Sequence, residues 1–378
     1  MKTIRSGDTR TRVGIVGCGN IAERYVVGTG RFPELEVAGC ADIDSSYAQA
    51  LSARLGVRAY ESVEQLLADP TIELVVNITP PRVHEDVTRA VLQAGKHVYV
   101  EKPLTTDPVS ALALLHEADG AGLLLGAAPD TFLGSAAQTA RLALDEGVIG
   151  RPVAAVACIR YSRAEEWHPD PTFLFQPGGG PSLDLGPYYV TALVNLFGPV
   201  AAVSAFSRVG ELERTVTAEN RRVESIKVTT PTHSSASLRF QSGTIATVIS
   251  SFDIWDTDMP FLEIYGEQGT LQVGDPNEYD SPVRARRHED ADWSVIEPIF
   301  KPSGEPGTPV QLLRGIGVAD LAAAVNGGAL RASGALAHHV LEVITAFDES
   351  SDREEIIHIN STVERPAPAE LLQTVTSA

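Results

Sequence analysis

The chain has 378 residues, more than one hydrophobic core ordinarily serves, so two domains are the expectation. With 43% hydrophobic and 21% charged residues it has the makings of an ordinary globular protein with ample core material. A formal net charge of −19 repels nucleic acid and anionic membrane alike, which leaves a small molecule as the expected partner.

Cys18, Cys40 and Cys158 form neither a disulfide framework nor a zinc-ligand spacing, so no metal is expected, and reduced thiols in a cytoplasmic setting fit them. Residues 1–11 read as a polar, basic, flexible leader running into an apolar stretch too short for a signal sequence. No apolar run approaches the roughly 18 residues that a membrane span needs.

Val13 to Val16 is a short apolar β-rich run, and Asn20 to Val27 reads as helix. Between them lies Gly17-x-Gly19-x-x-Ala22. Gly17 permits a tight turn, Gly19 lets backbone approach a pyrophosphate, and Ala22 is small enough for close packing of helix on strand. Backbone N–H groups where the helix starts, those of Asn20 and Ile21 among them, then hold the phosphates. A second apolar run, Glu36 to Ala41, ends in Asp42, about twenty residues beyond the glycines. A carboxylate there accepts hydrogen bonds from the adenosine ribose and repels a 2′-phosphate, which favours NAD over NADP. The plainer alternative is a solvated loop acid like its neighbour Asp44.

Strand and helix keep alternating, as a doubly wound domain requires. Ile72 to Ile78 is a strand ending in Thr79-Pro80-Pro81, His84 to Ala94 a helix, and Lys96 to Val100 a strand ending in Glu101-Lys102-Pro103. Pro108 to Asp119 is the next helix and Gly122 to Ala127 the last strand. Ligands of such sheets bind outside the carboxyl ends of the strands, which groups Asp42, Thr79, Pro80, Glu101 and Lys102 as cofactor-facing, with His84 counted among them.

Beyond residue 128 the pattern changes. Pro152 to Tyr161, Val200 to Arg208, Ser235 to Phe240, Thr244 to Phe252 and Phe261 to Tyr265 are strand-like runs with few helices between, the mark of an antiparallel sheet. Asp275 to Pro309 reads as irregular, Arg314 to Val325 as a helix, and the stretch after Ser361 as a surface arm. The expected organisation is a dinucleotide-binding domain over 1–128 and a substrate-binding, oligomerising domain over 129–378.

Three segments, AGKHVYVEKPLTTD (94–107), GGGPSLDLGPYY (178–189) and FLEIYGEQGTLQV (261–273), resemble the motifs of the glucose-fructose oxidoreductase, inositol dehydrogenase and MocA family. The resemblance runs from about Arg12 to about Asp348. It implies an N-terminal Rossmann domain, a C-terminal α+β domain on a large, mainly antiparallel sheet, and hydride exchange between a nicotinamide cofactor and a sugar or cyclitol. It also implies a homodimer or homotetramer.

Oxidising a secondary alcohol requires a hydride acceptor and a group that removes the hydroxyl proton. At the end of its strand, the Lys102 ammonium suits an oxygen that gains alkoxide character. The resemblance carries Asp184 onto the family's active-site aspartate and places Tyr188 where a histidine is usual. A phenol both donates and accepts, but is a weak base unless a cation assists it. His168, in EEWHPDP, is the rival proton carrier or a substrate contact. His338 and His339 lie in a helical pattern and read as packing residues. The glycines of 178–180 are read as letting the chain approach a ligand, and Asp184 and Tyr188, four residues apart, as sharing one helix face. Two other activities fit the same motifs: glycoside cleavage with transient oxidation, and non-catalytic sensing of dinucleotide and sugar.

Overall fold

Short runs rich in Val and Ile with no polar alternation are the signature of strands covered on both faces, and five of them pair into one parallel sheet. These are β1 (Thr11–Val16), β2 (Leu35–Ala41), β3 (Leu74–Asn77), β4 (His97–Val100) and β5 (Leu125–Ala127), in the order β2-β1-β3-β4-β5. A parallel bridge from Cys40 of β2 to Ala59 is the remnant of one further strand beyond β2. With it the order is that of the dinucleotide-binding doubly wound sheet. Helices α1 (Ala22–Thr29), α2 (Ser45–Leu55), α3 (Val63–Ala68), α4 (His84–Gln93) and α5 (Pro108–Ala121) connect the strands. Their starts are chemically marked: the side chains of Asp44, Ser62 and Asp107 accept backbone N–H bonds at 3.0, 3.3 and 2.9 Å, and Pro108 follows the last cap.

The computed structural model describes residues 10–299 and 314–369, which divide into two compact units. The described residues 10–130, 314–337 and 369 form the first, and 131–299 with 338–368 the second. Much of the expected leader and residues 300–309 of the expected irregular stretch lie outside the described residues. The return of 314–337 to the first unit departs from a single cut near residue 128: Asp130, buried, accepts N–H bonds from Gly315 and Gly317 at 3.3 and 3.0 Å.

The second unit is built on a nine-stranded sheet. Its strands are β6 (Pro152–Arg160), β7 (Val200–Arg208), β10 (His233–Phe240), β11 (Ile245–Ser251), β12 (Leu262–Gly266), β13 (Gly269–Val273), β14 (Arg284–Arg287), β15 (Ser294–Val295) and β16 (Ile357–His358). The intervening β8 (Glu213–Thr215) and β9 (Ser225–Lys227) form a separate ribbon. The order is β15-β14-β13-β12-β6-β11-β10-β7-β16, and every neighbouring pair is antiparallel except β6 with β11. Alternation in β10 shows why: Ser234, Ala236, Leu238 and Phe240 are buried while the residues between them are not. β14 and β15 lie in the stretch expected to be irregular, where charged residues hide their period.

Four helices belong to this unit before residue 200: α6 (Ser135–Asp145), α7 (Ala164–Trp167), α8 (Gly180–Asp184) and α9 (Gly186–Phe197), the last buried along its whole length. Later come α10 (Ile316–Val325), in the first unit, and α11 (Gly334–Arg353). The described residues after Ser361, 362–369, are not a free arm. Arg141 of α6 donates to the Pro366 carbonyl at 2.8 Å, and Arg365 reaches Asp145 at 2.7 Å.

His339 serves packing, as its helical pattern indicates. Its Nε2 accepts the Val200 N–H at 3.0 Å and its Nδ1 lies 2.8 Å from the Ser361 hydroxyl. Burial pushes its pKa down to about 4. Because the folded value lies below the unfolded one of about 6.5, its contribution is complete above that pH and is lost as pH falls toward about 4. Denaturant titrations at pH 7 and pH 5 should show the parent losing about 2 kcal/mol more than His339→Gln does. Equal losses would place the acid sensitivity elsewhere.

Candidate functional site

In the first unit the chain leaves β1 through a turn that only glycine makes. Gly17 has φ +100°, and a Cβ there would lie 2.8 Å from the backbone of Ile78. Around Gly19 a Cβ would meet nothing within 4 Å, and Gly19 and Asn20 are exposed, so the tip of the loop presents bare backbone to solvent ahead of α1. Space of this kind, with N–H groups converging at a helix start, suits a pyrophosphate. Ile21 stands at the helix cap position.

Asp42 has a second task. Its carboxylate accepts the Cys18 N–H at 2.7 Å and the Asp44 N–H at 3.0 Å, which ties the glycine loop to the end of β2. A carboxylate offers about four acceptor positions, so two remain for ribose hydroxyls. Beside it, Ile43 is 101% exposed, an apolar side chain set in polar surroundings. Sequence reasoning missed it, although an apolar residue straight after the acid was a legible signal.

The ends of β3 and β4 are organised from beneath. Asn77, fully buried, accepts from the hydroxyl and N–H of Thr79 at 2.7 and 3.2 Å and donates to the His84 carbonyl at 3.1 Å and to Thr88 at 3.0 Å. Pro80 stays exposed. His84, expected as a cofactor contact, is 1% exposed; its ring nitrogens lie 2.7 Å from the carbonyls of Pro103 and Thr79. It therefore clamps the two strand-end loops together from within. Burial disfavours its charge, the two carbonyls favour it, and the net direction of its pKa is down.

Glu101 is also internal. Its carboxylate accepts from the Tyr25 hydroxyl at 2.9 Å and from the Lys102 N–H at 2.8 Å, and pairs with Arg314. Burial alone would raise this carboxyl, but the charges of Arg314 and Lys102 outweigh it and hold the pKa below its usual value. Glu101 thus sets the backbone from which the half-buried Lys102 side chain departs. Arg314, far along the chain, carried no sequence signal for this pairing.

The second unit holds Asp184, Tyr188 and His168. The glycines before Asp184 have a packing purpose: a Cβ on Gly179 would lie 2.3 Å from the Phe173 carbonyl oxygen. The single helix expected over Asp184 and Tyr188 is two helices that meet at Leu185, since Pro187 removes an N–H and disfavours continuation. Asp184 ends α8, and Tyr188, 4% exposed, lies in the first turn of α9. His168 is half-buried between the rings of Trp167 and Phe173, both 5.4 Å away, and its Nδ1 accepts the Asp170 N–H at 3.1 Å. Only Nε2 is left to it for other chemistry. Neighbouring Tyr189 donates to Asp275 at 2.9 Å.

The fold and the glycine loop define a dinucleotide-binding unit joined to a unit built on a mainly antiparallel sheet. Residues 11–128 match the oxidoreductase family with an NAD-binding Rossmann fold, and residues 137–272 match the C-terminal domain of the same GFO/IDH/MocA family. The chain belongs to that family, and its first unit is the family's NAD-binding domain. It is 34% identical over 145 residues to 1,5-anhydro-D-fructose reductase of Ensifer adhaerens, 38% of this chain and 44% of the relative. With D-xylose 1-dehydrogenase (NADP(+)) 2 of Haloferax volcanii it shares 28% identity over 77% of this chain and 84% of the other. The chain spans less than half the length of several curated relatives that it matches. In fold it is like levoglucosan dehydrogenase in complex with NADH and levoglucosan, with TM-score 0.81, 20% identity, and 93% of this chain and 100% of the other covered.

Two glycine substitutions separate backbone strain from ligand access. Gly17→Ala should cost about 1–3 kcal/mol of stability, because φ is wrong and Ile78 is in the way. Gly19→Ala should leave the melting temperature nearly unchanged while NADH affinity falls about 10-fold or more, the new methyl occupying the approach to the loop. Thermal melts and fluorescence titration with NADH read the two effects, and undiminished NADH binding in Gly19→Ala would remove that loop from the site.

Proposed function

We propose that the chain is an NAD-dependent oxidoreductase exchanging a hydride with a secondary alcohol or ketone of a sugar or cyclitol. The observation that carries this reading is the bare backbone tip at Gly19 and Asn20, backed by the Asp42 carboxylate, at the sheet whose β4 is followed by Glu101 and Lys102. The relatives supply the substrate class, since one is named for anhydrofructose reduction and another for xylose oxidation. When bound, the dinucleotide supplies hydride exchange at its nicotinamide ring.

The chain's own residues do the rest. The N–H groups of Asn20 and Ile21 hold phosphate, Asp42 takes ribose hydroxyls on its remaining acceptor positions, and Ile43 offers an apolar face to the adenine. Lys102 hydrogen-bonds the reacting oxygen and stabilises it as it becomes alkoxide. Asp184 orients the sugar, and the Tyr188 hydroxyl carries the proton, with His168 Nε2 as a further substrate contact. All three cysteines are free and buried, in keeping with a reducing cytoplasmic setting. No helix among the described residues is long and apolar enough to cross a membrane. Phe206 and Ile245, 73% and 52% exposed on the sheet of the second unit, are the kind of side chains that a second copy would cover in a homodimer or homotetramer.

NADH should bind more tightly than NADPH, and Asp42→Ala should narrow that ratio. Affinity for NADH itself should fall too, because the substitution also strands the Cys18 and Asp44 N–H groups. Parallel titrations of both cofactors decide it, and tighter NADPH binding by the parent would take Asp42 away from the ribose.

A screen of sugars and cyclitols, read by NADH formation, tests the reaction itself. On the best substrate, Lys102→Met should lower turnover by about two to four orders of magnitude with NADH binding retained. Tyr188→Phe keeps the buried ring and should lower turnover about 100-fold. Turnover within a few-fold of the parent in the Phe variant would pass the proton to Lys102 or His168.

A further inference from the structure

The second unit contains a cavity that none of the residues assigned above lines. Its volume is about 510 Å³, within the range of about 300–1,000 Å³ for small-molecule sites. It opens where β6, β7 and β11 end and β10 begins, against the β8–β9 ribbon. The ribbon is held there firmly. Ile226 of β9, with Val216 and Val228 just after the two strands, packs with Phe175 and Phe252, and the N–H groups of Thr217 and Ala218 bond to the Glu165 carbonyl at 2.9 and 3.1 Å.

Three properties of the lining select the occupant. Trp255 is 71% exposed at the cavity, with the Arg163 guanidinium 4.1 Å from its ring centre, and Arg163 itself holds a left-handed backbone at φ 67°. A non-glycine residue kept in that conformation beside a cavity is the kind of local strain that accompanies binding sites. Next, Arg214 is buried between Glu165, at 2.9 Å, and Asp253, forming a rigid polar wall. Finally, four carboxylates, those of Glu165, Glu166, Glu211 and Asp253, stand against the guanidiniums of Arg163, Arg208 and Arg214. Acids outnumber these cations, so a phosphate or carboxylate ligand is disfavoured, whereas a neutral polyol with an apolar ring face can use both the indole and the charged hydrogen-bonding groups.

The cavity also adjoins an assigned residue of the same unit. Tyr161, the residue after β6, packs its ring 6.4 Å from that of Phe252, which lines the cavity. Leu185, next in the chain to Asp184, packs against the same apolar cluster as Phe252, and burial together with the Asp184 charge raises the Tyr161 phenol.

We propose that this cavity is a subsite for a second, neutral glycosyl unit, so that the sugar oxidised is one residue of a disaccharide or other neutral glycoside. The proposal rests on the sugar-oxidising reading above and narrows its substrate class. It is tested on the NADH-bound protein by calorimetric titration with maltose, cellobiose, lactose and melibiose, against glucose, galactose and glucose 6-phosphate. At least one disaccharide should bind about 10-fold or more tightly than its constituent monosaccharides and than the phosphate ester, the scale of one added recognition element. Trp255→Ala, at an exposed position, should erase most of that gain. No gain for any disaccharide, or a gain that survives Trp255→Ala, would overturn the subsite. NADH formation from NAD with the same sugars reads the underlying activity separately. A disaccharide bound through Trp255 but never oxidised would keep the subsite and sink the oxidation reading, whereas monosaccharides oxidised with no disaccharide gain would do the reverse.

Discussion

A carboxylate removed from water must be compensated on every side, and Glu101 is such a group. It draws Tyr25 from α1, the Lys102 N–H from its own turn and Arg314 from a segment 213 positions later in the chain. Removing one partner of a buried pair of this kind typically costs about 3–5 kcal/mol. The consequence is geometric as well as energetic. The helix that follows the glycine loop, the strand end that carries Lys102 and the returning segment 314–337 all meet at one carboxylate, so the cofactor face of the first unit is braced from inside.

The same economy appears in how the loops at the strand ends are held. Asp42, Asn77 and His84 each bond backbone groups of neighbouring loops: Asp42 those of Cys18 and Asp44, Asn77 the Thr79 N–H and the His84 carbonyl, and His84 the carbonyls of Thr79 and Pro103. Of these, Asp42 and His84, which sequence position alone would aim at a ligand, also hold the protein's own loops. Loops fixed in this way need little reorganisation when a dinucleotide arrives, and preorganisation is what lets N–H groups stabilise charge effectively.

Glycine has two different uses in this chain, and the contrast bears on function. Gly19 leaves open space, as a ligand-facing position should, whereas Gly179 fills its space with the carbonyls of Phe173 and Leu174. The second stretch is therefore scaffolding that seats α8 against the turn at Thr172–Phe175. Asp184 is placed by that packing and by the break at Leu185, and Tyr188 by the buried α9, so the two are oriented by different helices.

Patterns whose cause is local were legible in the sequence. Continuous apolar runs indicated the parallel strands, a succession of strand-like runs with few helices between them indicated β10 and its neighbours, and the glycine spacing with Asp42 indicated a dinucleotide unit, because chain geometry and burial act within a few residues. Three motifs in order carried the family. What remained hidden depends on partners distant in the chain: Arg314 on Glu101, the His84 ring between two carbonyls, Pro366 on Arg141, and the cavity beside Trp255. Sequence by itself determined which residues could bear charge, turn tightly or pack. Tertiary structure decided which of them are spent inside and which face outward, because burial and hydrogen-bond partnership are set by residues brought together only when the chain folds.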